Sequence, residues 1–328
     1  MSLYEIRDLR IDFPTRLGTV EAVRGVTFEI GERECVALVG ESGCGKSVTA
    51  RALMGLTEAA GGRVRPGGSI LCAGEDILGY SERQWRAYRG SRAAIIFQDA
   101  MTALNPTMRI GRQIWECCLL HRRMSRREAR EQAVSLLERV GIPQPRQALD
   151  RYPHEFSGGM RQRVVIAQAL ACGPALLIAD EPTTALDVTI QAQILELLQE
   201  LREREGNSIL LITHDLGVVA GMAQRIVVMY AGVIVEMGTT DEIFYEGQHP
   251  YTAGLKAASP RLDADSGERL YTIEGAPPEL INPSPGCPFA PRCARCAAGC
   301  REELPPMRRL SDTHFVRCPY GQQEGGAQ

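Results

Sequence analysis

"ECVALVGESGCGKSVTARALM", residues 34–54, is the stretch of this 328-residue sequence that decides the fold. Its first part, ECVALVG, is a nearly continuous apolar run, which predicts a strand buried on both faces of a parallel sheet. Its last part predicts a helix, and the glycine-rich turn GESGCGKS (40–47) lies between the two. Glycines in such a turn let successive backbone N–H groups face phosphate oxygens, and the start of the helix adds a positive dipole. The pattern therefore predicts a phosphate-binding loop.

Phosphate chemistry gives each part of this loop an expected role. Lys46 should reach the β- and γ-phosphates of a nucleotide, and Ser47 should hold Mg²⁺. Cys44 is interpreted as an unreactive residue at a variable position of the loop. The residues predicted to bind ATP here are Gly40, Glu41, Ser42, Gly43, Cys44, Gly45, Lys46, Ser47 and Val48.

Further strands and helices alternate along the chain. Residues 2–36 alternate like half-buried strands, and two more apolar runs, 176–180 and 208–215, predict buried strands. Between those runs, residues 188–205 carry apolar side chains at helical spacing, and residues 225–238 predict a hairpin that turns near Ala231 and Gly232. This alternation indicates an α/β fold.

Composition excludes several classes of protein. The formal net charge is -3 and 23% of the residues are charged, so no strong field favours nucleic acid or an anionic membrane. The first residues lack the layout of a signal peptide, and the longest apolar stretch, 164–180, is interrupted by Gln168, Gly173 and Pro174. Eleven cysteines without a signal peptide indicate a reducing compartment, where close thiols more often bind metals than form disulfides.

Two carboxylates follow the apolar strand ALLIA, residues 175–179. Asp180, at the tip of the strand, is placed to hold Mg²⁺ through water, and Glu181 to polarise the attacking water. Together with the upstream phosphate-binding loop, this pair predicts nucleotide hydrolysis.

One motif is not explained by a single nucleotide in a single chain. FSGGMRQR (156–163) precedes a helix predicted over 160–172, so the hydroxyl of Ser157 and the backbone N–H groups of Gly158 and Gly159 form a second anion site. With Gln98 in IIFQD, DEPTTALD (180–187) and LITHD (211–215), this motif resembles the ATP-binding subunits of ABC transporters, in the same order and at similar separations.

The resemblance, which covers residues 1 to about 250, implies further roles. The signature Ser157, Gly158 and Gly159 would face the γ-phosphate of ATP bound to a partner subunit, and Asp187 would lie at that dimer interface. His214 would sense the γ-phosphate. Gln98 would bind ATP and help to hold Mg²⁺, with Ser47 and Asp180, and would report the nucleotide to membrane subunits.

Three positions depart from the common pattern of the family. Phe156 and Met160 stand where leucine and glutamine are usual, which leaves the anion site intact but its strength open. Leu17 stands where many relatives place an aromatic residue against the adenine, so either Phe13 substitutes or the stacking is weak.

Longer stretches, FQDAMTALNPTMRIGRQI (97–114) and HPYTAGL (249–255), are similar to importers of the peptide and nickel group. The C-terminal pattern, GCPFAPRC (286–293) followed by Cys300 and Cys318, is the most specific match and resembles the D-type ATPase subunit of dipeptide and oligopeptide importers. The resemblance implies a heterodimer with a second ATPase subunit, two membrane permeases, an external peptide-binding protein and no nucleic acid. It places the chain at the cytoplasmic face of the inner membrane. A nickel or other non-peptide importer is the alternative, and a soluble ABC ATPase that acts on DNA or ribosomes is a remote one.

The region after residue 257 is rich in proline and cysteine and lacks periodicity, so a clamp is needed to order it. Four thiolates on a metal provide one. A closed tetrahedral zinc site and a cluster both suit four thiolates, although zinc ligands usually include a close pair. The resemblance to peptide-importer subunits implies a 4Fe-4S cluster held by Cys287, Cys293, Cys300 and Cys318, with Cys296 outside it. Zinc is the alternative.

The resemblance implies that residues 1–256 form an ABC nucleotide-binding domain, an α/β P-loop core with an antiparallel β subdomain and an inserted α-helical subdomain at about 99–172. Residues 257–328 form a cysteine-rich C-terminal extension.

Overall fold

The structure is a computed structural model that describes residues 2–184, 186–258 and 272–320. The strands, numbered along the chain, are β1 Ser2–Thr15, β2 Gly18–Gly31, β3 Cys35–Val39, β4 Arg63–Val64, β5 Ser69–Cys72, β6 Glu75–Asp76, β7 Ala93–Ile96, β8 Leu176–Asp180, β9 Ser208–Thr213, β10 Arg225–Tyr230, β11 Val233–Thr239, β12 Arg308–Arg309 and β13 Phe315–Val316. The α-helices are α1 Lys46–Leu53, α2 Glu82–Tyr88, α3 Ala100–Ala103, α4 Ile110–His121, α5 Arg126–Arg139, α6 Pro145–Ala148, α7 Gly158–Ala169, α8 Val188–Glu205, α9 Leu216–Ala220, α10 Thr240–Glu246, α11 Pro250–Ala258 and α12 Gly299–Glu302. Short 3-10 helices occupy Glu58–Ala60, Ile77–Gly79, Pro153–Glu155 and Ala290–Arg292.

The described residues divide into two compact units. The first contains residues 2–30, 35–78, 213–258 and 272–320, and the second contains residues 31–34, 79–184 and 186–212. The limits predicted from the sequence for the nucleotide-binding domain, its helical subdomain and the C-terminal extension stay predictions. Residues 259–271 and 321–328 of that extension lie outside the described residues.

In the first unit, one sheet has the order β2-β1-β5-β6, with β4 paired to β1. A second set of strands follows the order β12-β13-β11-β10-β3, in which β3 and β10 are parallel and the other pairs are antiparallel. All residues of β3 are buried, as expected for a strand covered on both faces. The predicted hairpin is confirmed: β10 and β11 are joined at Ala231 (φ 47°) and Gly232 (φ 84°), a left-handed pair that suits a tight turn.

In the second unit, β7, β8 and β9 form parallel pairs, and every residue of β8 is buried. Helices α3 to α7 lie between β7 and β8 in the sequence. The helix predicted over 188–205 is confirmed as α8, whose bounds are set by an Asp187 N-cap and by Gly206, at φ 70°, after its last turn. Helix α7 begins two residues earlier than predicted because the Ser157 hydroxyl caps it.

The described part of the C-terminal region, 272–320, attaches to the rest of the first unit through backbone hydrogen bonds. Strand β13 pairs with β11, Glu236 opposite Val316, and the Glu21 N–H donates to the Leu280 carbonyl at 2.9 Å. These contacts order a segment that has little apolar periodicity of its own.

None of the helices in residues 2–184, 186–258 and 272–320 combines the length and apolar character needed to cross a membrane.

Candidate nucleotide-binding site

The glycine-rich loop connects β3 to α1 in the first unit, as the sequence predicts. Gly43 (φ 79°) and Gly45 (φ 105°) have left-handed backbones that side chains rarely adopt. A Cβ at Gly40 would overlap the carbonyl oxygen of Met229, so glycine is required there for close packing. These positions give the loop its tight curvature ahead of the N-terminus of α1.

Lys46 is the first residue of α1 and is only 4% exposed. Its Nζ donates to the carbonyl oxygens of Gly40, at 2.7 Å, and Glu41, at 2.9 Å. The ammonium group is thus held inside the loop that it is predicted to serve. Cys44 is 4% exposed, its Sγ lies 3.9 Å from Lys46 Nζ, and burial raises the pKa of its thiol, which fits an unreactive residue.

Glu41 has partners that the sequence did not predict. Its N–H donates to the Tyr251 hydroxyl at 2.8 Å, and its carboxylate accepts from Arg292 Nη1 at 2.7 Å. Both partners lie within motifs quoted from the sequence, HPYTAGL and GCPFAPRC, but neither motif indicated that its residues reach the loop.

In the second unit, Asp180 ends β8 and is 4% exposed. Glu181 follows with a left-handed backbone (φ 48°), and its N–H donates to the Ile212 carbonyl at 2.9 Å. Its carboxylate accepts hydrogen bonds from Gln98 Nε2, at 2.7 Å, and from Thr184 Oγ1, at 2.9 Å. The structure thus brings together Glu181 and Gln98, two residues predicted for the site, and adds Thr184, which the sequence reasoning missed.

The signature residues begin α7. Ser157 is the N-cap, and its Oγ accepts from the Met160 N–H at 3.3 Å. Ser157 and Gly158 are exposed, so this helix start is open to a ligand, while a Cβ at Gly159 would press against Ile190 of α8. Phe156, a departure from the family pattern, is buried at 3% exposure.

Two further predicted residues lie at the ends of their elements. Asp187 is exposed, and its Oδ1 accepts from the Ile190 N–H at 2.9 Å, which caps α8. His214 is exposed after β9, in the first unit. Leu17, at the position where relatives place an aromatic residue, is 85% exposed.

The cysteines of the C-terminal region converge on one place. Cys287, Cys293, Cys296, Cys300 and Cys318 line a single cavity of about 20 Å³. Burial raises the pKa of Cys287 to about 11 and raises the pKa values of Cys293 and Cys318, and neighbouring thiolates act in the same direction. No disulfide joins any of the eleven cysteines, all of which lie in described residues.

Although the five cysteines line one cavity, their side chains are not arranged as metal ligands. Within residues 2–184, 186–258 and 272–320, no three His, Cys, Asp or Glu side chains are grouped closely enough to hold a metal ion. The predicted iron-sulfur centre is therefore not supported as a formed site, and it stays a prediction.

A strand, a glycine-rich loop with a buried lysine and a helix, together with two carboxylates after a parallel strand, define a P-loop ATPase. The chain belongs to the ABC transporter family. The "ABC transporter" family model matches residues 23–184, and the model "Oligopeptide/dipeptide transporter, C-terminal region" matches residues 235–300.

Relatives match the chain along most of its length. It is 52% identical over 313 residues to the dipeptide transport ATP-binding protein DppD of Bacillus subtilis, with 95% of this chain and 93% of the relative covered. It is 50% identical over 316 residues to the oligopeptide transport ATP-binding protein OppD of Salmonella typhimurium, with 96% and 93% covered. A dimeric structure of the ATP-binding cassette MJ0796 with ADP and phosphate matches 72% of this chain and 98% of its own, at 25% identity and a TM-score of 0.64.

Proposed function

We propose that this chain is the ATP-hydrolysing subunit that energises import of dipeptides or oligopeptides across the cytoplasmic membrane. The observation that carries the proposal is about 50% identity, over nearly the full length, to dipeptide and oligopeptide transport ATP-binding proteins. The match of residues 235–300 to the C-terminal region of such transporters favours peptide import over the nickel alternative and over an ATPase acting on DNA or ribosomes.

We assign the ATP chemistry as follows. The backbone N–H groups of residues 40–48 and Lys46 bind the phosphates, and Ser47, Gln98 and Asp180 hold Mg²⁺, for which oxygen donors are the preferred ligands. Glu181 acts on the attacking water, and its hydrogen bonds to Gln98 and Thr184 support that role by fixing the carboxylate.

The remaining residues act between subunits. His214 contacts the γ-phosphate. The start of α7, Ser157, Gly158 and Gly159, completes the ATP site of a second, different ATPase subunit, with Asp187 at that interface. Two membrane permeases and an external peptide-binding protein complete the importer, and this chain lies at the cytoplasmic face of the inner membrane.

Reconstitution tests the proposal. The chain is assembled in vesicles with a candidate second ATPase subunit, permeases and external peptide-binding protein, and ATP-dependent uptake of labelled dipeptides, longer peptides and Ni²⁺ is measured. Peptide uptake that stops in Glu181→Gln is the expected result. ATP-dependent Ni²⁺ uptake without peptide uptake would decide for the alternative.

We further propose that the C-terminal extension binds a metal centre, a 4Fe-4S cluster on Cys287, Cys293, Cys300 and Cys318. Support comes from the convergence of these thiols on one cavity and from the compartment that the sequence indicates. The thiolate donor set fits a cluster and also fits zinc.

Metal analysis of the anaerobically purified chain separates these outcomes. A cluster gives a brown protein with broad absorbance near about 400 nm and roughly four irons per chain. Cys296→Ser should keep that colour and Cys293→Ser should lose it. About one zinc per chain without iron decides for zinc. A chain that contains neither zinc nor iron refutes the proposal.

A further inference from the structure

A residue of the C-terminal region contacts the phosphate-binding loop directly. Arg292 Nη1 donates to Glu41 Oε2 at 2.7 Å and to the Tyr230 hydroxyl at 3.1 Å. The pair joins positions 251 residues apart within the first unit. The Arg292 side chain is 5% exposed and that of Glu41 is 24% exposed, so water screens this ion pair far less than it screens a surface pair.

The Arg292 guanidinium has further partners besides Glu41 and Tyr230. Its Nε donates to the Glu274 carbonyl and its Nη2 to the Ile273 carbonyl, each at 2.9 Å. The group also lies 5.9 Å from the ring centroids of both Tyr230 and Phe289. Since arginine presents a rigid planar fork, these contacts set the position from which it meets the carboxylate.

Glu41 is held a second time through its backbone. Its N–H donates to the hydroxyl of Tyr251, which is fully buried and packs on Tyr230 with ring centroids 4.5 Å apart. The Glu41 carbonyl oxygen accepts from Lys46 Nζ at 2.9 Å. The contacts that hold Glu41 therefore also hold one of the carbonyl acceptors of Lys46, the residue predicted to bind the phosphates.

The negative charge of Glu41 affects phosphate binding by the loop. Glu41 is the second residue of a loop that is to bind a polyanion, and an unpaired carboxylate there opposes phosphate binding by Coulomb repulsion. Arg292 cancels that charge and holds it in place.

We propose that Arg292 is a positioning residue for ATP, acting through Glu41, so that the C-terminal region raises nucleotide affinity from outside the loop. The inference rests on the proposed binding of ATP at residues 40–48.

The test measures the dissociation constant of MgATP by titration calorimetry on the full-length chain. Arg292→Ala should weaken binding roughly tenfold, the scale of one hydrogen-bonded charge pair. In the assembled complex, KM for ATP should rise by a similar factor while kcat changes by less than about threefold, because the reacting groups are untouched. Arg292→Lys keeps the positive charge but lacks the planar fork, so its MgATP affinity should lie between that of the wild-type chain and that of Arg292→Ala.

A second substitution separates charge from folding. Glu41→Gln removes the unpaired charge, so the Arg292→Ala/Glu41→Gln double variant should bind MgATP more tightly than Arg292→Ala alone. A variant that had merely lost structure would gain nothing from it. Arg317→Ala is the matched control, because Arg317 donates to the carbonyls of Ile234 and Pro305 in the same C-terminal region. Its MgATP affinity should equal that of the wild-type chain.

Each outcome decides. Wild-type affinity in Arg292→Ala overturns the inference, as does equal weakening in Arg317→Ala or no recovery in the double variant. If Arg292→Ala fails to fold, MgATP affinity is compared in Arg292→Lys and in the Arg292→Lys/Glu41→Gln double variant, and the same criteria apply. A wild-type chain that binds MgATP but imports no peptide contradicts only the proposed substrate. A chain that does not bind MgATP overturns this inference together with the assignment of the loop.

Discussion

Replacing Glu181 with glutamine should abolish ATP turnover while leaving ATP binding intact. The substitution keeps the shape of the side chain, and Gln98 and Thr184 still find an amide oxygen to donate to. The left-handed backbone at φ 48° is equally costly for both residues, so stability should fall by no more than about 2 kcal/mol, from the weakening of two charge-assisted hydrogen bonds. What disappears is the negative charge proposed to polarise water.

Loss of that charge should reduce kcat by a factor on the order of 100 or more, which corresponds to about 2.7 kcal/mol of activation free energy. The assay is single-turnover hydrolysis in the assembled complex, beside calorimetric binding of MgATP. Thr184→Val is the matched control, since it removes one donor to the same carboxylate and keeps the charge. Thr184→Val should reduce kcat by less than about tenfold. Parallel losses of binding and turnover in Glu181→Gln, or a Thr184→Val defect as large, would refute the assignment.

Three further outcomes are expected. Lys46→Ala should weaken MgATP binding by more than about tenfold in calorimetry, because it removes a buried cation facing phosphates, and unchanged affinity would contradict its role. The purified chain alone should hydrolyse ATP slowly, since Ser157 serves another subunit, and full activity of the monomer would argue against that. Burial lowers the pKa of His249 to about 4, with Glu236 opposing the shift. The unfolded histidine, with a pKa near 6.5, takes up protons first as the pH falls. Stability should thus drop by roughly 2 kcal/mol between pH 7 and 5, and the drop in melting temperature over that range should be smaller in His249→Asn.

Local signals made much of the fold predictable. Helix α8 has the predicted bounds because Asp187 and Gly206 mark its two ends chemically. Strands β3 and β8 were evident as short apolar runs, and the hairpin was evident from its turn at Ala231 and Gly232.

Contacts between distant positions left no such signal. Gln98 meets Glu181 across 83 positions, and Arg292 meets Glu41 across 251. The motifs assigned Gln98 and Glu181 to one nucleotide site, but no periodicity or local motif encodes which side chains form contacts once strands and loops have packed. For the same reason the sequence could list the five C-terminal cysteines but could not determine how closely they approach one another.

The attachment of the C-terminal region to the first unit bears on protein engineering. A shortened chain that stops near residue 258 would leave the outer edge of β11 without β13, and exposed strand edges promote aggregation. It would also strip the buried Glu236 carboxylate of the His314 ring nitrogen that lies 2.9 Å from it. A chimera that exchanges this region between importers should therefore carry β11 along with it, and should match the residue facing Arg292 in the recipient loop. The boundary that looks convenient in the sequence is a poor place to cut the molecule.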